Sequence, residues 1–316
     1  MDELKKYYPD IRKTLLDALP EYWGELKSVI NHIIEGPMMP EAILPLAACQ
    51  ASGGNASMAV PVAAAGVALG TSIRILDDLL DKDRERELWN LVGDKRAWNY
   101  SSAFNTISYR ILQNANLPPD KYTSIKDAFI ESSLLIGAGQ DRDLTHRPTS
   151  MDDYLITAGL KTAQAFQLAC KVGAMVATDD ESLIKNCENY GKHLGMVIQT
   201  FNDLESIWHK PGLNDLTLGK ITLPLLFGLE MDHPEQEELR AIIDANQMSI
   251  KSQRVREILD NIDTRGFLIW TALKERDEAL KWIEKCPNER GKDVLHSYIT
   301  GIFGDINVLF EKELSV

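Results

Sequence analysis

Apolar residues recur at three- and four-residue spacings along nearly all of the 316 residues, the pattern of amphipathic α-helices. Alternating β-branched runs joined by Asn-Gly or Asp-Gly turns, the signal of β-hairpins, do not interrupt this pattern. Proline and glycine set the helix boundaries. The helices are predicted near 2–18, 21–35, 40–52, 56–84, 87–115, 119–140, 150–177, 181–209, 221–231, 235–246, 250–285 with a break near 262–265, and 289–314. The sequence therefore predicts an all-α fold in a single domain, 1–316.

Two of the predicted helices, 56–84 and 150–177, are rich in Ala, Gly and Leu and are nearly apolar on more than one face. Such helices are typical of the buried centre of a large helical bundle. The longest apolar run, 58–70, contains Pro61 and is too short to span a bilayer. The first ten residues carry charges where a signal peptide needs an apolar core. We therefore expect a cytoplasmic protein without a membrane span.

The charge balance excludes one class of partner. The chain has 47 acidic against 34 basic residues, a formal net charge of −13. Nucleic-acid affinity depends on Lys and Arg neutralising phosphates, so an acidic surface argues against a nucleic-acid partner. Four cysteines lie without CxxC or metal-like spacing, and we predict reduced core thiols.

A first acidic motif ends the apolar helix that begins near residue 56. Asp77 and Asp81 lie one turn apart on one helical face, and Asp78 is turned about 100° away. Like charges at this spacing repel, and carboxylates on an apolar helix need a counter-charge. Mg²⁺ removes that penalty, because it takes one or two carboxylates and leaves positions for phosphate oxygens. The alternative is a solvated helix end without metal.

A second polar element interrupts an apolar helix about 120 residues later. Asn202, Asp203 and Ser206 stand at i, i+1 and i+4, and Gln199 precedes them by about one turn. Two lysines ten residues apart, at positions 210 and 220, flank the following loop. The repetition of such a polar interruption favours a metal site over two unrelated helix ends.

Together the two elements resemble the first and second aspartate-rich motifs of the trans-isoprenyl diphosphate synthases, members of the type I isoprenoid synthase superfamily. Gly139-Gln140 before Asp143, Lys161-Thr162 on an apolar helix, and the segment 219–224 add to this resemblance, which covers roughly residues 35–230. It implies one large helical bundle around a central apolar cavity. It also implies two motifs facing each other across the cavity mouth, three Mg²⁺ ions that bridge them to an allylic isoprenyl diphosphate, and a homodimer.

The resemblance assigns roles to individual positions. The residues implied in catalysis are Asp77, Asp78, Asp81 and Asp203. The implied metal ligands are Asp77, Asp81, Asn202, Asp203 and Ser206. The residues implied to bind the substrate diphosphate are Arg86, Lys161, Gln199, Lys210 and Lys220. Such cations stabilise the charge that develops as the carbon–oxygen bond breaks.

The second substrate site of that family, for isopentenyl diphosphate, departs from the pattern. Its expected Lys, Arg, His and second Arg are replaced by Pro37, Pro40, Gly70 and Glu87. Losing several charge-assisted contacts, each worth about 1.5–3 kcal/mol, weakens affinity for a second diphosphate by orders of magnitude. Ordinary chain elongation is therefore in doubt from the sequence.

The second motif also differs from the family's pattern, because only one of the family's three aspartates is present. Asn202 and Ser206 are similar to the Asn/Ser/Glu metal triad of terpene cyclases, but the last position of that triad is Lys210. Either Asn202 and Ser206 bind a third metal with help from Asp203 or Glu205, or this metal site is weak or lost and Lys210 supplies positive charge.

Three functions follow. The favoured expectation is an enzyme that ionises an allylic diphosphate and quenches the cation by cyclisation, elimination or water, as terpene synthases do. The alternative is trans-prenyl transfer, either chain elongation or ComQ-like transfer to another acceptor. The third is a non-catalytic partner subunit, which the intact first motif argues against.

The expected chain length rests on the residues before the first motif. Ser72 and Ile73 stand where the family places bulky aromatics, which suggests an open pocket for a chain of C15 or longer. Phe166 is a candidate pocket residue that could also stabilise a carbocation through its ring face.

Overall fold

The computed structural model describes residues 2–35, 39–81, 92–209 and 214–304. Within these residues the chain forms α-helices with short 3₁₀ segments and one π-helical turn, and it contains no β-strand. The all-α prediction is therefore confirmed for the described part of the chain.

Within the described residues the helix boundaries lie close to the predicted ones, whereas the predicted boundaries at 84, 87 and 314 lie outside the described residues. In chain order the described α-helices are α1 Tyr8–Asp17, α2 Gly24–Glu35, α3 Pro40–Ala51, α4 Val60–Asp81, α5 Asp94–Gln113, α6 Pro119–Thr145, α7 Met151–Ala158, α8 Gln164–Ala177, α9 Glu181–Trp208, α10 Asp215–Leu218, α11 Leu223–Glu230, α12 Gln236–Asp244, α13 Ser252–Asn261, α14 Thr264–Ile283 and α15 Glu289–Ile302. The expected break in 250–285 falls between α13 and α14, where Asp263 adopts a positive φ of 60° that ends a helix.

Two features of the helices were not predicted from the sequence. The predicted helix 150–177 is interrupted by the π-helical turn Gly159–Ala163, which joins α7 to α8. The four-residue helix α10 was not predicted, because four residues are too short to show a helical period. Its Asn214 cap accepts from the Thr217 backbone N–H in a capping box.

The described helices group into two compact units. Unit 1 comprises Met1–Asp127, Ala169–Tyr190 and Leu280–Val316, and unit 2 comprises Ala128–Leu168 and Gly191–Ala279. The expectation of a single domain stays a prediction.

In unit 1, α4 is a core helix that packs against α5, α3 and α1. Its consecutive residues Ala63, Ala64 and Ala65 are fully buried, and small side chains let neighbouring helices approach closely. This confirms the predicted burial of the apolar segment. Segment Ala56–Leu80 is long and apolar enough to cross a membrane, but 72% of its most apolar window is buried within the protein, as in the core helix of a soluble protein.

The four cysteines lie in unit 1 and are buried free thiols, in agreement with the prediction. They are Cys49, Cys170, Cys187 and Cys286.

In unit 2, two glycines of neighbouring helices pack against the π-helical turn. A Cβ at Gly139 of α6 would lie 2.5 Å from the Lys161 backbone nitrogen. A Cβ at Gly195 of α9 would lie 2.4 Å from the Ala163 Cα. Both contacts are with backbone, which has little freedom to shift, so glycine is needed for α6 and α9 to pack directly on the turn. Turns of this kind are frequently found at functional sites.

We predict that Gly195→Ala lowers the free energy of unfolding by about 1–3 kcal/mol, because the added methyl group overlaps the backbone of the π-helical turn. Gly137→Ala is the matched control: Gly137 lies on α6 in the same unit and a Cβ there meets nothing within 4 Å. That control is expected to leave stability unchanged or to raise it by about 0.5–1 kcal/mol. Urea titrations of the two variants measure both effects, and equal midpoints would contradict the prediction.

Candidate active site

The acidic end of α4 lies in unit 1. Asp77 and Asp78 occupy the final turns of the helix and are both half-buried. Asp81 is the last residue of α4, and its side chain lies outside the described residues. Carboxylate oxygens are the hard ligands that Mg²⁺ prefers. The carboxylate of Asp77, a predicted ligand, is chemically suited to Mg²⁺, and the metal role of Asp77 and the catalytic role of Asp78 stay predictions. Arg86 and Glu87 lie outside the described residues.

A salt bridge in unit 1 lies one helical turn before this acidic end. Arg74 Nη1 donates to Glu41 Oε1 at 2.7 Å, and Arg74 Nη2 lies 3.4 Å from Thr71 Oγ1. Glu41 also occupies the space beside Gly70, where an added Cβ would lie 2.4 Å from Glu41 Oε1. A carboxylate therefore stands beside the position where the resembled family carries a histidine.

The sequence did not single out Glu41 or Arg74, because their contact joins residues 33 positions apart. Two other positions differ from the second substrate site of the resembled family. Pro40 is the first residue of α3, and Pro37 lies outside the described residues.

In unit 2, two of the predicted diphosphate-binding lysines meet at one carboxylate. Lys161 Nζ lies 2.9 Å from Asp143 Oδ2, and Lys220 Nζ lies 3.7 Å from the same oxygen. Lys161 is on the π-helical turn, Asp143 is near the end of α6, and Lys220 follows α10. Two ammonium groups share one carboxylate, so these three side chains carry a net positive charge. Lys210 lies outside the described residues.

The predicted residue Gln199 belongs to a hydrogen-bonded network in unit 2. The Thr162 hydroxyl donates to Gln199 Oε1 at 2.5 Å. Gln199 Nε2 then donates to Asp203 Oδ1 at 2.8 Å and lies 3.0 Å from the Tyr154 hydroxyl. Tyr154 donates to both Asp203 oxygens, at 2.7 and 2.8 Å. The side-chain amide of Gln199 is therefore held in one orientation.

Tyr154 was missed by the sequence reasoning. A signal was present, since Tyr154 precedes Lys161 by two helical turns in an otherwise apolar segment. A buried tyrosine hydroxyl needs a hydrogen-bond partner, and its spacing placed it near Lys161.

Asp203 is the most deeply buried acid of the second motif, with 1% of its surface exposed. Burial raises the pKa of Asp203 to about 8, the hydrogen bonds from Tyr154 and Gln199 oppose that rise, and the charges of Asp215 and Asp143 add to it. Burial therefore favours the neutral form of Asp203 more than it does for an exposed carboxyl group, and the two hydrogen bonds partly offset this.

The remaining residues of the second motif differ in their surroundings. Asn202 and Glu205 are exposed. The Ser206 hydroxyl accepts from the Asp215 backbone N–H at 3.0 Å. Burial raises the pKa of the Asp215 carboxyl, and a hydrogen bond with Ser206 opposes that rise. Asp203 and Ser206 are thus already engaged within the protein, and the predicted ligand that faces solvent is Asn202.

In the described residues, no group of three His, Cys, Asp or Glu side chains is arranged to hold a metal ion. The oxygen donors of the second motif, as placed here, do not fit a complete site by themselves. The roles assigned to Asn202, Asp203 and Ser206 stay predictions.

A polar cavity of about 250 Å³ lies in unit 2 beside the lysine pair. Asp143, Tyr154, Thr157 and Lys220 line it, together with residues 144–148 at the end of α6 and just after it. Lys220 and the network residue Tyr154 therefore line one water-accessible space.

The predicted pocket residues are placed as follows. In unit 1, Ser72 is 4% exposed and its hydroxyl lies 3.1 Å from that of Ser101 on α5, whereas Ile73 is half-buried. In unit 2, Phe166 is half-buried on α8. Their contact with a substrate chain stays a prediction.

Comparisons with known proteins identify relatives of this chain. Residues 25–262 match the family model described as polyprenyl synthetase. A geranylgeranyl diphosphate synthase of Mycobacterium tuberculosis is 32% identical over 216 residues, which are 65% of this chain and 62% of the relative. The chain thus spans less than two thirds of that relative's length.

Two solved structures share the fold. The crystal structure of a decaprenyl diphosphate synthase from Rhodobacter capsulatus has a TM-score of 0.83 at 20% identity, over 96% of this chain and 99% of that chain. A polyprenyl synthase from Caulobacter crescentus, complexed with calcium and isoprenyl diphosphate, has a TM-score of 0.81 at 20% identity, over 92% of each chain. They confirm the predicted isoprenoid synthase type I fold.

The matched region contains both the acidic end of α4 and the Lys161–Asp143–Lys220 cluster, and it extends over most of the chain. The enzyme class expected from the sequence is thereby confirmed, and the chain belongs to the polyprenyl synthetase family of type I isoprenoid synthases.

Proposed function

We propose that this protein is a trans-prenyltransferase, which ionises an allylic isoprenyl diphosphate and joins the prenyl group to an acceptor alkene. The observation that carries the proposal is the family match over residues 25–262, within which the named relatives are prenyl diphosphate synthases. These relatives support prenyl transfer, the alternative from the sequence, better than the cyclisation favoured there.

The steps of the reaction can be assigned to residues described above. The allylic carbon–oxygen bond breaks, diphosphate leaves with the electron pair, the acceptor alkene attacks the allylic cation, and a proton is lost. We assign Lys161 and Lys220 to the leaving diphosphate, because their two ammonium groups lie together beside Asp143 and can stabilise the developing negative charge. Gln199 is also assigned to this diphosphate, but both hydrogens of its amide already donate within the protein, so binding the diphosphate requires one of those hydrogen bonds to break. Asp77 and Asp81 would hold Mg²⁺, which would supply positive charge to a diphosphate, and Asp78 stays a predicted catalytic residue beside them.

The proposal includes four more specific expectations. They are three Mg²⁺ ions with substrate bound, an allylic chain of C15 or longer, a homodimer, and a cytoplasmic location. The half-buried Ile73 and the small side chain of Ser72 support the chain-length expectation, since neither is a bulky aromatic. Sedimentation analysis of the full chain tests the dimer.

We expect purified protein with Mg²⁺ to convert farnesyl diphosphate and isopentenyl diphosphate into a longer allylic diphosphate, releasing one diphosphate per condensation. Geranyl and geranylgeranyl diphosphates are tested in parallel, and product length is read by chromatography and mass spectrometry. A hydrocarbon or alcohol formed equally well without isopentenyl diphosphate would instead establish the cyclisation or hydrolysis chemistry.

Asp77→Ala is expected to lower Mg²⁺-dependent diphosphate release by about 100-fold, because it removes a metal ligand aimed at the leaving group. The matched control is Asp127→Ala, which removes an exposed carboxylate from a helix in the same unit. Circular dichroism checks that both variants remain folded. Unchanged turnover in Asp77→Ala would show that the metal is bound elsewhere.

Lys161→Ala should raise the KM for the allylic diphosphate by roughly 10- to 100-fold, the loss expected for one charge-assisted contact. Lys192→Ala removes an exposed lysine of α9 in the same unit and should leave this KM unchanged. Steady-state kinetics with farnesyl diphosphate varied at fixed Mg²⁺ compares the two. A matching KM in both variants would remove Lys161 from the substrate site.

A further inference from the structure

Two of the buried cysteines of unit 1 lie side by side. Cys187 is on the N-terminal part of α9, and Cys286 is in the short connection between α14 and α15. Their Sγ atoms are 3.9 Å apart, although the two residues are 99 positions apart in the sequence. The sulfurs of a disulfide are about 2 Å apart, so side-chain movements of about 2 Å bring these two thiols to bonding distance.

The packing of α3 holds the two cysteines together. A Cβ at Gly291, near the start of α15, would lie 2.1 Å from the Ala51 backbone nitrogen, so the segment that follows Cys286 is in direct backbone contact with α3. Cys187 Sγ lies 3.4 Å from the hydroxyl of Ser52, at the end of the same helix. Both sulfurs are therefore positioned beside the C-terminal end of α3.

The two thiols differ in exposure and in acidity. Cys187 is fully buried, whereas Cys286 is 4% exposed. The hydrogen bond with Cys187 lowers the pKa of the Cys286 thiol, burial opposes that fall, and the positive charge of Lys292 adds to it. The same hydrogen bond and burial raise the pKa of Cys187. Because the thiolate is the reactive form of cysteine, Cys286 is the thiol that reacts first with an oxidant.

The other two cysteines lack these features. Cys49 Sγ donates to the Asn55 backbone carbonyl at 3.2 Å, and burial raises the pKa of Cys49 to about 12. Cys170 is fully buried, and burial raises its pKa as well. Cys49 and Cys170 are therefore internal controls for a reaction at the Cys187–Cys286 pair.

We propose that Cys187 and Cys286 are a redox-sensitive modification site, at which a hydroperoxide joins them in a disulfide bond within the folded protein. The Cys286 sulfur attacks one oxygen of hydrogen peroxide, the O–O bond breaks, and Cys286 becomes a sulfenic acid while one water leaves. The Cys187 sulfur then attacks the sulfenic sulfur, the S–O bond breaks, and the hydroxyl leaves as water with the Cys187 proton.

The overall reaction is balanced and reversible. The two thiols lose two electrons and two protons, and one hydrogen peroxide is reduced to two waters. Two molecules of a thiol reductant restore the pair by thiol–disulfide exchange and are themselves oxidised to a disulfide.

Peptide mapping of the full chain tests the bond directly. Folded protein is treated with hydrogen peroxide at concentrations that leave its circular dichroism unchanged, free thiols are blocked with N-ethylmaleimide, and trypsin is added. Cleavage after Lys and Arg places Cys187 in peptide 186–192 and Cys286 in peptide 286–290. We expect these two peptides to be linked, with the link lost after treatment with dithiothreitol. An absent link, or a link to the Cys49 or Cys170 peptide instead, would overturn the proposal.

Single substitutions test the order of the two steps. In Cys187→Ala the sulfenic acid at Cys286 has no thiol to condense with, so we expect dimedone, a reagent for sulfenic acids, to label Cys286. In Cys286→Ala the same peroxide treatment should leave Cys187 unlabelled. Cys49→Ala is the matched control and should form the disulfide as the unsubstituted protein does. Stronger labelling of Cys187 than of Cys286 would contradict the assignment of Cys286 as the first thiol to react.

Thermal unfolding shows whether the bond suits the native packing. A disulfide across about 100 residues restricts the unfolded chain, so the midpoint of unfolding should rise by about 5–10 °C after peroxide treatment and return after reduction. Peroxide-treated Cys187→Ala should show no such rise. A midpoint that stays unchanged or falls in the linked protein would show that the bond distorts the fold, and it would overturn a disulfide formed within the folded protein.

Discussion

Each carboxylate placed against an apolar helix must be compensated, and this constraint shapes both units. Desolvating an unpaired carboxylate costs several kcal/mol, whereas a hydrogen-bonded or ion-paired one can be accommodated. In unit 2, Asp203 is compensated by Tyr154 and Gln199, which donate to it. In unit 1, Glu41 is compensated by Arg74. The residue that pairs with each carboxylate determines which polar groups stay available to bind a ligand.

The balance of charge within each cluster explains how an acidic protein can bind a phosphorylated molecule. Lys161 and Lys220 bring two positive charges to the Asp143 carboxylate. Arg74 and Glu41 cancel each other. The net charge of −13 is therefore a poor guide to local affinity, because a ligand responds to the charges within about a Debye length, roughly 8–10 Å. The proposed diphosphate site at the lysine pair depends on these local charges.

The parts predicted well from the sequence are those that depend on local pattern. Helical periodicity and Gly or Pro punctuation gave most of the helix boundaries, and the break before Thr264 follows from residues beside it. The π-helical turn was not predictable in this way, since five residues at a wider period leave no visible mark in an apolar pattern. Its position depends on Gly139 and Gly195, which approach it from other helices.

The contact between Glu41 and Arg74 could not be predicted from the local sequence pattern either. It needs α3 and α4 to pack in one particular register, and the spacing within either helix does not reveal that register. The spacing of the second motif raised a related ambiguity. It identified Asn202, Asp203 and Ser206 as a set, yet it could not tell which of them faces the core of unit 2.

Packing accounts for the form of the second motif. The aspartate that is kept, Asp203, is the buried one, and a substitution there would leave Tyr154 and Gln199 without their acceptor. Asn202 is exposed, so replacing an aspartate at that position costs the fold little. Ser206 contributes instead to the start of α10 through the Asp215 backbone. The constraint at Asp203 is thus one of folding and of orienting Gln199, and it holds whatever number of metal ions the motif binds.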